Sequence, residues 1–288
     1  MAVSLEELKK MGSARVLMAA SLVCLVAAGT VACDSSAKGN NIHQKVNTKS
    51  GANAKRKNIA SVQPNGIDKL SAAEITNRAN QTMEEIHSVR TVLKNSIVGF
   101  NLAADTEGNC KGSSQTGTGT LDIIKRGDDV YMKGDSAFWK AELDDYRAAA
   151  VEQKARDHYI KTSTSDAVFT AETAGMCDPP KGLSGVLHNF AIWEGKDENK
   201  SNKWVFTKQG VTKVDGVSAV ELQSTDNGMK ASVFVSLVGQ PYLLKVRSQG
   251  VDMNFKDHNK SVSVEPPTKD ETIEASEIPE LVDVKSPW

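Results

Sequence analysis

Residues 204–255 hold six short runs in which apolar and polar side chains alternate, and this pattern leaves little choice of fold. In the clearest run Met229, Ala231, Val233, Val235 and Leu237 alternate with Lys230, Ser232, Phe234 and Ser236. Successive strand side chains point to opposite faces, so one face of the resulting sheet is apolar and the other mostly solvated. The other runs, 204–206, 211–214, 217–223, 242–248 and 251–255, are parted by turn chemistry. Asp215-Gly216 and Asn227-Gly228 are two-residue hairpin signals, and Gly239-Gln240-Pro241 and Gln249-Gly250 are softer ones. Val262, Val264 and the pair Pro266-Pro267 read as the close of the sheet.

The first part of the domain begins with a helix. Ser71-Ala72-Ala73-Glu74 is a capping box, with Leu70 and Ile75 placed for a hydrophobic staple. Ile75, Ala79, Met83, Ile86 and Val89 recur at helical spacing, opposite Arg78, Gln81 and Glu85. From Thr91 the period changes. Residues 96–102 read as a strand with Val98, Phe100 and Leu102 on one face, and 117–125 and 130–133 as two more around a turn at Gly127-Asp128. Phe138-Trp139, and Leu143 with Tyr146 and Ala150, suit short helices, and Tyr159-Ile160 a brief strand. Residues 163–193 are ambiguous: Pro179 and Pro180 interrupt any long element, while Leu183, Val186, Leu187 and Phe190 fit a further helical turn or two. Helices set between two strand blocks predict an antiparallel α+β domain whose helices bury their apolar side on the apolar face of the sheet.

The N-terminal segment is of another kind. The seventeen residues 16–32 are apolar or small throughout, follow Lys9, Lys10 and Arg15, and end in Thr30-Val31-Ala32-Cys33. This is the layout of a secretory signal, and it is marginal for crossing a hydrocarbon core of about 30 Å. Its end resembles the lipobox of bacterial lipoproteins, in which the cysteine thiol accepts diacylglycerol and becomes the new N-terminus. The resemblance implies lipidation at Cys33 and anchoring on the extracytoplasmic face of the cell membrane, in the cell envelope. Val31 and Ala32 fit that pattern, and Thr30 stands where Leu is usual. An uncleaved membrane anchor is the alternative. Glu6 and Glu7 are unusual ahead of such a run and are accounted for if Met11 is the start. Cys24, inside the run, reads as a bystander.

Residues 34–66 are rich in Ser, Gly, Asn and Lys, sum to +5, and nearly lack large apolar groups. Such a segment buries too little to offset its ordering and is expected to be a flexible tether with a reach of about 30 Å. Its charge suits an anionic membrane surface and equally suits plain solubility. With a whole-chain charge of -1 and +1 on residues 1–33, residues 67–288 sum to -7. An acidic domain argues against nucleic acid as its partner.

From the lipobox-like start through Ser71-Ala72-Ala73-Glu74, Asn109-Cys110-Lys111-Gly112, the 127–133 run Gly-Asp-Asp-Val-Tyr-Met-Lys, Phe138-Trp139 and the 239–245 run Gly-Gln-Pro-Tyr-Leu-Leu-Lys, the chain resembles the LolA/LppX-type (LppX/LprAFG-like) envelope lipoproteins. The resemblance covers roughly residues 67–280, and the order of the motifs carries it. It implies a curved antiparallel half-barrel with helices in its concave side, and a space between them that holds acyl chains. The lining residues expected for that space are Met83, Val98, Phe100, Leu102, Phe138, Leu187, Val233, Val235 and Leu244. Each of them is also an ordinary core residue by type.

Of the four cysteines, Cys24 leaves with the signal and Cys33 is the acylation site. Cys110 and Cys177 remain as an even pair in an oxidising compartment and are expected to form a disulfide.

No catalytic or metal-binding constellation stands out. His43, His87, His158, His188 and His258 show no metal spacing. Ser35-Ser36-Ala37-Lys38 lies in the tether, and Gly117-Thr118-Gly119 lacks a third glycine. Residues 197–208 start like a calcium loop but lack its central Gly and closing Glu. The doublets Asp128-Asp129 and Asp144-Asp145 suit a turn and a solvated helix face. The expectation is a non-enzymatic carrier of a lipid-like ligand without cofactor. The alternative is an extracytoplasmic protein-interaction or envelope-sensing domain without lipid cargo, whose acidity steers it to a basic partner.

Overall fold

The computed structural model describes residues 64–95, 98–166, 176–183, 185–187, 204–226 and 229–282, all within one compact unit, Ile59–Trp288. Cys33, the 16–32 run, residues 34–63 of the tether and the Asn227-Gly228 turn lie outside the described residues. Residues 64–66, expected to belong to the tether, are tied to the domain, where Pro64 bridges to Val238 and the Asn65 amide donates to the Leu237 carbonyl at 2.8 Å.

Helix α1, Ala72–Glu84, starts at the expected cap: the Ser71 hydroxyl accepts from the Glu74 amide, and the Glu74 carboxylate accepts from the Ser71 amide at 2.8 Å. Strands β1, Ser88–Lys94, β2, Val98–Asp105, β3, Asn109–Thr116, β4, Gly119–Arg126, and β5, Asp129–Gly134, then run up and down. Helices α2, Ser136–Glu142, and α3, Asp145–Ala155, precede β6, Tyr159–Ser163. The second block is β7, Phe206–Val214, β8, Val217–Asp226, β9, Met229–Ser236, β10, Leu243–Ser248, and β11, Val251–Lys256. Strand β12, Thr272–Glu274, and helix α4, Pro279–Val282, follow.

The twelve strands among the described residues form one open sheet in the order β12-β6-β5-β4-β3-β2-β1-β11-β10-β9-β8-β7. The two blocks are joined where β1 pairs antiparallel with β11, Leu93 opposite Met253. The antiparallel α+β architecture is the expected one, with differences that have physical causes. The apolar stripe of α1 does not run on to Val89, because residues 88–94 find ladder partners on both sides and become β1. Val89 falls at helical spacing by coincidence and is buried as a strand residue. Pro266 and Pro267 do not close the sheet: β12 follows and pairs with β6 in parallel. Of the expected run 204–206 only Phe206 is in a strand, and it shares that strand, β7, with the run 211–214, across an irregularity between Lys208 and Gly210. Tyr146 is 75% exposed and takes no part in the apolar side of α3. At Asp215-Gly216 both residues have positive φ, 48° and 85°, as a two-residue hairpin turn of twisted strands demands.

One face of the sheet, here the inner face, carries two hydrophobic cores. The first gathers Phe100, Leu102, Leu121 and Ile123 of β2 and β4 under Phe138, Trp139, Ala148 and Val151 of α2 and α3. Helix α2 sits directly on the sheet because its seats are glycines. A Cβ at Gly119 would lie 2.2 Å from the Phe138 amide nitrogen, and one at Gly134 would lie 2.7 Å from the Trp139 ring. The Trp139 indole donates to the Gly134 carbonyl at 3.0 Å. The second core gathers Val220, Leu222, Val233, Val235 and Val246 of β8 to β10 under Ile75, Ala79 and Met83 of α1 and under Leu183, Val186 and Leu187. Among the described residues no helix is long and apolar enough to cross a membrane.

Candidate functional site

Strand register places one continuous row of side chains across the middle of the inner face. Phe100 of β2 lies opposite Leu93 of β1, Leu93 opposite Met253 of β11, Met253 opposite Val246 of β10, Val246 opposite Val233 of β9, and Val233 opposite Leu222 of β8. Phe100 is 9% exposed, Leu93 2%, and Val246, Val233 and Leu222 0%. Met253, in the centre of this row, is only half-buried. Val251, the next inner-facing residue of β11, is half-buried too, and so is Val98, one inner position beyond Phe100 toward the same end. Val251 and Met253 pack against both cores. The inner face therefore has two covered halves and an apolar patch of Val98, Val251 and Met253 that neither helical group covers completely.

The nine residues expected to line a ligand space divide accordingly. Phe100, Leu102 and Phe138 belong to the first core, and Met83, Leu187, Val233 and Val235 to the second. Val98 and Leu244 are half-buried. Leu244 is the extra residue of a register shift between Leu243 and Lys245, so Leu243, fully buried and opposite Val235, takes the inner position. Val251 and Met253 were not among the nine, although the alternation Val251, Met253, Phe255 placed all three on one face.

Cys110 and Cys177 are bonded, with Cα atoms 5.4 Å apart. Cys110 faces inward on β3, opposite Ala104 and Lys125. Cys177 belongs to the first core, whereas Leu183, six residues on, belongs to the second. The chain between them thus links the two halves, and Gly182 lies against α1, where a Cβ would meet the Asn80 side-chain oxygen at 2.7 Å.

A separate polar cleft of about 250 Å³ lies at the β6–β12 edge, lined by Asp129, Lys161, Thr162, Ser163, Asp166, Glu274, Ala275 and Ser276. The Asp129 carboxylate, 3.4 Å from Lys161, pushes the ammonium pKa up. Among the described residues no group of three or more His, Cys, Asp or Glu side chains is placed to hold a metal ion.

No protein-family model matches the chain, and no curated protein matches it. Similar solved structures include LprF from Mycobacterium bovis, at 13% identity over 68% of this chain and 96% of that one, with a TM-score of 0.44. A LolA superfamily protein from Nitrosomonas europaea is similar at 10% identity over 70% of this chain and 99% of that one, with a TM-score of 0.21. MucB in complex with MucA(peri) is similar at 11% identity over 69% of this chain and 58% of that one, with a TM-score of 0.31.

Proposed function

We propose that the domain binds a hydrophobic ligand of the acyl-chain type against the middle of its inner face, and that it works outside the cytoplasmic membrane, tethered through a lipid on Cys33. The observation that carries the reading is the half-buried state of Met253, which sits in the centre of an otherwise closed apolar row and touches both cores. Apolar surface left open beside a core is a binding surface for apolar matter. Each methylene buried there contributes about 0.8 kcal/mol, so a long chain is held without any charged contact. The side chains of this row and patch are apolar, and binding rather than catalysis is the work they suit.

The test is extraction of the purified full chain with organic solvent, followed by mass spectrometry. The lipid on Cys33 is covalent and stays with the protein, so an extracted amphiphile in near-equal amount to protein is ligand. An empty extract refutes the reading. A second reading, an interaction or sensing domain without cargo, is favoured by the edge strand β7, where Val211 is 65% exposed, and by Val205 just before it, 75% exposed. An empty extract together with specific crosslinking through β7 supports that second reading.

A further inference from the structure

The outer face of the sheet has a charge pattern that the domain's composition conceals. Register sets Lys256 of β11, Arg90 of β1, Ala103 of β2, Lys111 of β3, Ile124 of β4, Tyr131 of β5 and Lys161 of β6 in one row. At about 4.8 Å per strand the row is about 29 Å wide; it holds four cations and no anion, while Ala103 and Tyr131 within it are buried. Lys94, Arg126, Lys133, Lys230, Lys245 and Arg247 face the same way, against the carboxylates of Asp105, Asp122, Asp129, Glu221, Asp252 and Glu274. Residues 67–288 nevertheless sum to -7. The excess of positive charge is thus concentrated on the side away from the helices. Much of it is neutralised: Asp257 lies 3.4 Å from Arg90, Asp215 2.5 Å from Lys256, Asp129 3.4 Å from Lys161, and Asp252 2.5 Å from Lys245 and 2.8 Å from Arg247, which leaves Lys111 as the one cation of the row without an ion pair among the described residues. Lys94, Lys111 and Arg126 are exposed and make no ion pair among the described residues.

We infer that this outer face rests on an anionic bilayer surface, which leaves the helices and the apolar patch turned away from it. The inference rests on the reading that the chain is anchored in that bilayer near Cys33. Two features of the charge distribution select a membrane rather than an acidic protein. The free cations lie on a broad sheet face rather than in a groove. The segment leading from the anchor to the domain, residues 34–66, itself sums to +5. Each Lys or Arg brought to an anionic surface strengthens attachment about five-fold, and salt screens the effect.

The experiment uses the full chain reconstituted in vesicles of phosphatidylcholine, with and without phosphatidylglycerol. A membrane-impermeant amine reagent is applied and labelled lysines are read by mass spectrometry. The expected result is that Lys111 and Lys94 are protected severalfold in the anionic vesicles compared with the neutral ones. Lys140 of α2, 60% exposed on the helix side, labels equally in both. High salt and the double variant Lys94→Glu/Arg126→Glu both abolish the protection of Lys111. Both positions are exposed and unpaired, and an unchanged circular dichroism spectrum confirms the fold. The comparison of the two lipid compositions stands without the variant. Equal labelling of Lys111 in both compositions, with the protein still floating with the vesicles, overturns the inference and leaves the anchor reading intact. Failure to float with either composition overturns the anchor reading and the inference with it.

Discussion

Cys110 and Cys177, 67 residues apart in sequence, are bonded to each other at the floor of the first core, and the chain leaving Cys177 enters the second core at Leu183. The disulfide therefore fastens the link between the two covered halves of the inner face to β3. In the chain-entropy view a closed loop of this length stabilises the fold by about 4 kcal/mol. Cys110→Ser/Cys177→Ser is expected to lower the urea midpoint accordingly, and reductant is expected to do the same to the natural chain once it reaches this fully buried bond. An unchanged midpoint for the double variant contradicts the role.

The contact between Gly119 and Phe138 makes a second prediction. Any side chain at 119 puts a Cβ 2.2 Å from the Phe138 amide nitrogen and 2.3 Å from its Cα. Backbone atoms cannot swing aside as a flexible side chain does, so α2 must lift from β4. Gly119→Ala is expected to destabilise by about 1–3 kcal/mol, the usual cost of overpacking. Thermal unfolding measures it, and a melting temperature equal to that of the natural chain refutes the close seat.

These two relationships were unequally visible in the sequence. The pairing of Cys110 with Cys177 followed from what remained after Cys24 and Cys33 were assigned. The seat at Gly119 is a tertiary fact, and no local pattern announces it. The alternation around Val233 and Val235 fixed a two-faced strand because each side chain there has the polarity of its own environment. Strand β1 was hidden because Arg90, Thr91 and Val92 show no clean alternation; its partners β2 and β11 make it a strand. Thr272-Ile273-Glu274 is too short to signal anything and owes its pairing to β6 alone. The inward direction of Met253 was legible, but its half-exposure was not. That depends on what the helices of the two cores leave uncovered, which is a tertiary matter and not a local one.

His258 gives the fold a pH dependence whose direction is fixed by burial. Its ring stacks on Tyr242 with centroids 4.3 Å apart, and its Nε2 donates to the Leu243 carbonyl at 3.0 Å. Burial pushes its pKa down to about 4, only partly opposed by that hydrogen bond and by the Asp257 carboxylate. The unfolded chain takes up the proton first, from an ordinary value of 6.5, and the folded chain follows only near 4. The stabilisation is fully present above pH 6.5 and is lost as the pH falls to about 4, by on the order of 3 kcal/mol in all. His258→Phe retains a ring against Tyr242 and is expected to flatten this part of the stability–pH curve. Parallel curves for the two proteins over that window reject the assignment.

Met253 separates the binding role of the inner face from its structural role. Leu93, directly opposite it, is closed within the first core at 2% exposure, and Leu93→Ala is expected to cost about 2–5 kcal/mol as a buried large-to-small change. Met253 is half-buried and packs against both cores only in part, so added volume there has solvent to extend into. Met253→Trp is therefore expected to leave the melting temperature nearly unchanged while sharply reducing the lipid recovered by solvent extraction. A variant that melts like the natural chain and still yields the same amount of lipid places any ligand elsewhere. One that loses stability as Leu93→Ala does shows that position 253 has no room to offer.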